Sequence, residues 1–274
     1  MDTIDALILG IVQGLSEYLP ISSSGHLEIC REVLGLKLPG ADALEFTLAL
    51  HVATVLSTIV VLWREFAGLC TSFFTLKRDE NTVYVWKILL SCIPVAIVGL
   101  FFKEDVEQFF GNGLTVVGIC LMVTAALLAF AYFFPRRRSN RNGNGRIREH
   151  DIRWRDAFII GCAQAVAVLP GLSRSGSTIA TGMILGDSRS KLAQFSFFMV
   201  IIPILGEALL QIKDMISGDV VQESVGMMPL LVGFLAAFIV GCLACKWMIA
   251  LVKRGKLVWF AIYCAAMGLV CLIW

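Results

Sequence analysis

The sequence predicts an all-α integral membrane protein, built as an inverted-topology repeat with two re-entrant helical hairpins and about six transmembrane helices. Three observations lead there. Of the 274 residues 58% are hydrophobic and 16% charged, and mean hydropathy is +0.81, whereas soluble domains are nearer one quarter charged. Two apolar runs are each broken by a proline and a Ser/Gly turn, in QGLSEYLPISSSGH (Gln13 to His26) and QAVAVLPGLSRSGS (Gln164 to Ser177). Finally, a shift of 151 positions lays Gly10, Gln13, Ser22, Ser24 and Gly25 on Gly161, Gln164, Ser173, Ser175 and Gly176, which marks an internal repeat.

Taken in order, residues 1–135 form the first repeat. Its re-entrant hairpin covers residues 4–36, because neither Ile4 to Leu19 nor His26 to Leu36 is long enough, uninterrupted, to cross about 30 Å of hydrocarbon. Gly10 and Gly14 are spaced to let this hairpin approach a neighbouring helix closely. Gln13 and Glu17, four apart, share one helical face. The spans are 46–63, 83–102 and 114–134. The first is 18 residues without a formal charge, about 27 Å of helix, interrupted by His51. Part of the mixed stretch from Arg64 to Lys87 suits the membrane interface, and Pro94 suits a kink.

Residues 136–155 are the most polar part of the chain, with Arg136, Arg137, Arg138, Arg141, Arg146, Arg148, Arg153 and Arg155. A short basic loop between spans marks the cytoplasmic side, and that reading is preferred to nucleic-acid binding. The second repeat, 156–274, comprises a re-entrant hairpin at 156–186 and spans at 195–210, 230–251 and 257–274. Basic loops are placed inside; the acid-rich stretches Glu104 to Glu107 and Asp214 to Glu223 are placed outside. The first hairpin then enters from outside, the second from inside, and both termini lie outside. No basic region of a cleaved signal peptide precedes the first motif. The nine cysteines are scattered and complete no metal set.

Half-helix N-termini carry unpaired amides and partial positive charge, so two facing ends make an anion site. Arg174 is a planar fork for phosphate or carboxylate. Glu17 reads as a metal ligand or base, or as a structural partner of Arg174. His26 reads as a proton relay or as a capping residue; Ser23 as a nucleophile. Ser22, Ser24, Gly25, Ser173, Ser175, Gly176 and Gln13 are candidate binding residues, though any of the serines also serves as a cap. His51 and Glu207 are further intramembrane polar groups with secondary or packing roles.

Gln13-x-x-x-Glu17 with Leu-Pro-Ile-Ser-Ser-Ser-Gly-His26, and Pro170-Gly-Leu-Ser-Arg-Ser-Gly176, resemble the two signature motifs of the bacterial undecaprenyl-diphosphate phosphatases, the bacitracin-resistance family. The resemblance extends over essentially the whole chain. It implies a phosphatase of the bacterial cytoplasmic membrane that converts undecaprenyl diphosphate to the monophosphate for cell-wall synthesis, with its active site opening outward and with Mg2+ or Ca2+ as cofactor. It also implies Ser23 as nucleophile, Glu17 as metal ligand or activating carboxylate, His26 as acid/base partner and Arg174 as diphosphate clamp. Family members often carry Glu where this chain has Gln13, whose amide oxygen can ligate but brings no charge. Expected partners are the prenyl diphosphate and membrane lipids, with a homodimer compatible and no nucleic acid. The competing reading is a secondary transporter or lipid flippase, which the inverted repeat would equally suit but which has no need of the hydroxyl, imidazole and carboxylate set.

Overall fold

The structure is a computed structural model that describes residues 1–36, 40–102, 113–141, 149–216, 225–255 and 257–274. The acid-rich stretches at 104–107 and 214–223 and most of the Arg-rich loop lie outside what it describes in full. Among the described residues there are eleven helices and no strand. These are α1 (Thr3–Ser16), α2 (Ser23–Val33), α3 (Gly40–Val61), α4 (Trp63–Phe74), α5 (Glu80–Phe101), α6 (Gly113–Arg141), α7 (Trp154–Val166), α8 (Arg174–Leu185), α9 (Arg189–Ile216), α10 (Met227–Arg254) and α11 (Val258–Ile273).

Four helices, α5, α6, α9 and α10, are long and apolar enough to cross a membrane; α3 and α4 make a fifth candidate, bent by 88° at Leu62. The 16 residues of α11 give only about 24 Å of helix at 1.5 Å per residue. Five of the expected spans fall on α3, α5, α6, α9 and α10, and the sixth, 257–274, falls on α11, an apolar helix shorter than the other candidates. The outermost bounds move where polar ends continue a helix beyond its apolar centre, as α6 does through Arg141. The amphipathic stretch after Arg64 is α4. Each broken run is a pair of short helices, α1 and α2 in the first case, α7 and α8 in the second.

Local signals set the ends. Asp2 caps α1 through Thr3 N at 2.6 Å, and Asp79 caps α5 through Thr82 N at 2.9 Å; that bond holds the exposed Asp79 carboxyl below its ordinary pKa. Gly186, at φ 94°, ends α8 in the left-handed conformation that a side chain resists. Large apolar side chains such as Leu243, Trp259, Ile262 and Trp274 are exposed along the helices. That outward greasy surface is what lipid requires.

The repeat is visible in the packing. Shifting α1 by 151 gives 154–167, the position of α7. Helix α1 packs on α10, and its counterpart α7 packs on α5; α3 meets α9 and α6 meets α11 across the middle. Close approach depends on glycine in both copies. A Cβ on Gly14 would stand 2.6 Å from Ala237 O of α10, and one on Gly161 would stand 2.8 Å from Ser91 Cα of α5. Both neighbours are backbone and cannot swing aside. Gly161→Ala is expected to destabilise the protein by roughly 1–3 kcal/mol, the usual range for an overpacked interior, read as a lower thermal unfolding midpoint in detergent. An unchanged midpoint would show that α7 does not lie this close to α5.

Candidate active site

Both hairpin tips are built the same way. Ser22 Oγ accepts from Gly25 N at 3.2 Å, and Ser173 Oγ accepts from Gly176 N at 3.0 Å. These two caps occupy equivalent places, since 22 plus 151 is 173. In each half-helix the cap and the first backbone turn satisfy the third and fourth amides (His26 N to Ser22 O, Ser177 N to Ser173 O). The amides of Ser23, Ser24, Arg174 and Ser175 are left facing the tip. Ser22 holds a φ of 73°, unusual for a residue with a side chain, and strain of this kind clusters where a backbone must present a particular face.

The tips touch. Gly171 N donates to Ser24 Oγ at 3.3 Å, and Ser175 Oγ donates to Leu19 O at 3.0 Å. Thr124 Oγ1 of α6 accepts from Ser173 N at 3.1 Å and ties the second tip to the bundle. Gly25 and Gly176 lie in this contact: a Cβ on Gly25 would come within 3.1 Å of Gly171 Cα, and one on Gly176 within 3.3 Å of Pro20 Cβ.

Around this junction Glu17 collects donors. Ser23 Oγ donates to Glu17 Oε2 at 2.6 Å, and Gln13 Nε2 donates to the same oxygen at 3.0 Å. The short O–H···O distance is that of a charge-assisted bond. His51 Nε2 stands 3.7 Å from Glu17 Oε2, while its Nδ1 faces Thr47 O at 2.9 Å. That second contact orients the ring, with Nδ1–H donating to the carbonyl. The buried Gln13 Oε1 has no hydrogen-bond partner.

Arg174 is the first residue of α8 and lines the same cleft as Glu17, Thr54, Thr58, Ser175 and Ser196, a space of about 360 Å³ measured out to its open mouth. Its charge acts on Glu17 through space, yet no ion pair within 4 Å joins the two among the described residues. Its Nη1 is buried without a hydrogen-bond partner. A buried guanidinium nitrogen without an acceptor is costly unless an acceptor arrives, so the structural pairing of Glu17 with Arg174 is replaced by a gap between them.

His26 is placed differently from the expectation of a proton relay at Ser23. Its Nδ1 faces Ser22 O at 2.8 Å, and its Nε2 faces Tyr263 OH of α11 at 2.7 Å, the rings stacking at 5.6 Å. Both nitrogens are engaged, and neither engages Ser23. The group on the serine hydroxyl is the Glu17 carboxylate. Glu207 is exposed on α9 and takes no part in the junction.

Two residues around the junction were legible in sequence only in part or not at all. His51 stood out as an intramembrane polar group with a secondary or packing role, without its partner Glu17. Tyr263 gave no signal at all, being one aromatic in a C-terminal apolar segment.

Fold and junction together define a multi-pass α-helical membrane protein with a hydroxyl, carboxylate and guanidinium centre where two broken helices meet. Within that class the chain belongs to the bacitracin-resistance family, for the family model described as "Bacitracin resistance protein BacA" matches residues 6–270. It is 54% identical over 274 residues to a Bacteroides fragilis protein named undecaprenyl-diphosphatase, covering 100% of this chain and 98% of that one. A Parabacteroides distasonis protein of the same name is 56% identical over 270 residues (98% and 97% covered), and one from Methanosphaera stadtmanae is 36% identical over 288 (100% and 98%).

Tyr263→Phe strips the acceptor Nε2 of His26 of its donor. It is expected to cost about 1–3 kcal/mol of stability, the penalty of an orphaned polar atom, measured by thermal unfolding in detergent against wild type. No change would mean that the imidazole finds water instead.

Proposed function

We propose that this protein hydrolyses undecaprenyl diphosphate to undecaprenyl phosphate and inorganic phosphate, recycling a carrier lipid in the bacterial cytoplasmic membrane. The observation that carries this reading is the Ser23 Oγ to Glu17 Oε2 contact of 2.6 Å at a half-helix N-terminus, facing a cleft that also holds a buried, unpartnered Arg174 nitrogen. The names of the relatives supply the substrate; the chemistry comes from these groups. A transporter has no use for a hydroxyl bonded to a carboxylate.

In the proposed reaction the Arg174 fork and the free amides of both half-helices bind diphosphate oxygens, an anion site set where two helix dipoles converge. Glu17 takes the proton of Ser23 as its oxygen attacks the terminal phosphorus. The Ser–O–P bond forms as the phosphoanhydride bond breaks, and undecaprenyl phosphate departs with the bridging oxygen. Water then cleaves the phosphoserine, releasing inorganic phosphate and restoring the hydroxyl. Stabilisation of charge by preorganised donors supplies most of the acceleration in this kind of transfer. His51 positions Glu17, and His26 braces the start of α2 through Ser22 O.

The donor set fits a hard divalent cation. Glu17 is an anionic oxygen ligand, and the unpartnered Gln13 Oε1 is a neutral one beside it. Bound there, Mg2+ or Ca2+ would neutralise phosphate charge. The prenyl tail lies laterally among the helices in lipid. Loop charge supports opposed entry of the two hairpins and an outward-facing site.

Purified protein in detergent, given a short-chain prenyl diphosphate, tests this by release of inorganic phosphate. Ser23→Ala is expected to abolish turnover with folding intact. Arg174→Lys should lose about 10²–10³-fold, the scale for removal of a transition-state donor, because a point charge does not reproduce the fork. Chelation should suppress the rate, and added Mg2+ or Ca2+ should restore it. Normal release by Ser23→Ala would overturn the nucleophile assignment.

A further inference from the structure

At the far end of the second hairpin from the tip lies a second polar cluster, about 18 Å away along the 12 residues of α8. It joins His150, just before α7, to Asp156 in the first turn of α7 and Asp187 between α8 and α9. A parallel bridge pairs His150 with Asp187: His150 N donates to Gly186 O at 3.0 Å, and Ser188 N donates to His150 O at 2.8 Å. His150 Nδ1 stands 3.3 Å from Asp187 Oδ1 and 3.9 Å from Asp156 Oδ2.

One observation says that this cluster lacks a component. Asp187 is 1% exposed, yet neither of its carboxylate oxygens takes part in a hydrogen bond among the described residues. The nearby cations are committed elsewhere: Lys191 Nζ to Asp151 at 2.9 Å, Arg189 to Glu149 at 3.4 Å, Lys87 Nζ to Ile152 O at 2.7 Å. Arg153 acts on Asp187 only through space. The ring presents its Nδ1 edge to both carboxylates: Nε2 faces Leu185 O at 3.3 Å, and Nδ1 faces Asp151 O at 3.0 Å.

We propose that His150 Nδ1, an Asp156 oxygen and an Asp187 oxygen form a binding site for a divalent first-row metal ion, separate from the hairpin junction. One ligand atom from each lies within 4.8 Å of the others, close enough to share one ion. An imidazole nitrogen with two carboxylate oxygens suits an ion of intermediate hardness such as Mn2+ or Zn2+ better than Ca2+, which prefers oxygen alone. The ion would tie the entry of α7, the exit of α8 and the start of α9 into one knot. It thereby fixes the half-helix whose other end carries Arg174.

The test uses full-length protein in detergent carrying Glu17→Gln, which silences the junction as a cation site, with Mn2+ alone as probe. One Mn2+ per chain is expected, with nitrogen hyperfine coupling in its electron paramagnetic resonance. Asp187→Asn, which keeps the shape, should weaken binding by about tenfold or more, and His150→Gln should remove the nitrogen coupling. Both variants are checked for an unchanged elution volume. Coupling that persists in His150→Gln, unaltered affinity in Asp187→Asn, or no Mn2+ retained beyond that of the doubly substituted protein would each overturn the site.

Discussion

A helix that stops inside a membrane leaves its first amides bare, and each bare polar group in hydrocarbon costs several kcal/mol. Helices α2 and α8 begin at tips that meet inside the protein, and much of the architecture there answers the same cost for their first amides. Ser22 and Ser173 each satisfy one amide, and Ser24 takes an amide from the opposite tip. The tips therefore neutralise part of one another's deficit, and neither hairpin is satisfied alone. Beside the tips lies the buried end of Arg174, whose Nη1 has no hydrogen-bond partner.

Symmetry supplies the scaffold, and departure from it supplies the chemistry. Under the 151-residue shift the caps match, and so do Ser24 with Ser175 and Gly25 with Gly176. The first helical position does not: Ser23 stands in one copy and Arg174 in the other. A hydroxyl and a guanidinium thus sit in equivalent backbone settings, each presented by the first turn of a half-helix. Glu17 corresponds to Val168 and His26 to Ser177, so the carboxylate exists in one copy only. Two identical tips would offer either two hydroxyls without a guanidinium or two guanidinium groups without a hydroxyl.

The sequence was legible where physics is local. Leu-Pro followed by Ser and Gly showed both helix breaks, apolar length showed the spans, and the repeat showed which side chains belong together. The cross-tip contact followed from those. Less legible was whatever depends on which helix lies behind a residue. His26 reads in sequence as a proton relay or a cap, and nothing local shows that its ring turns to Tyr263, 237 positions away. The cluster at His150 was hidden for the same reason: its members are separated by up to 37 positions, and their meeting depends on a turn at Gly186 that no periodicity reveals. The 88° bend after Leu62 falls where the uncharged run ends and the mixed stretch from Arg64 begins, but its angle is set by packing that composition does not show.

The placement of Glu17 shows how a carboxylate is held at a membrane-buried junction. It closes α1, so its backbone is no freer than the helix end, with Glu17 N bonded to Gln13 O at 3.0 Å. The next residue, Tyr18, is fully committed: its hydroxyl meets Thr54 O at 2.6 Å, Thr58 Oγ1 at 2.9 Å and Ser57 Oγ. Its ring packs edge-on against Phe197 at 5.1 Å. Those three partners lie on α3, one to two turns beyond His51, so the helix that anchors Tyr18 is the one that brings the imidazole to Glu17. Anchor and orienting group cannot shift independently. On the other side Gln13, one turn earlier in α1, donates to the same oxygen as Ser23. The carboxylate is therefore fixed from two helices while the hydroxyl that donates to it belongs to a third, α2, and the Pro20 turn between α1 and α2 sets the 2.6 Å between them.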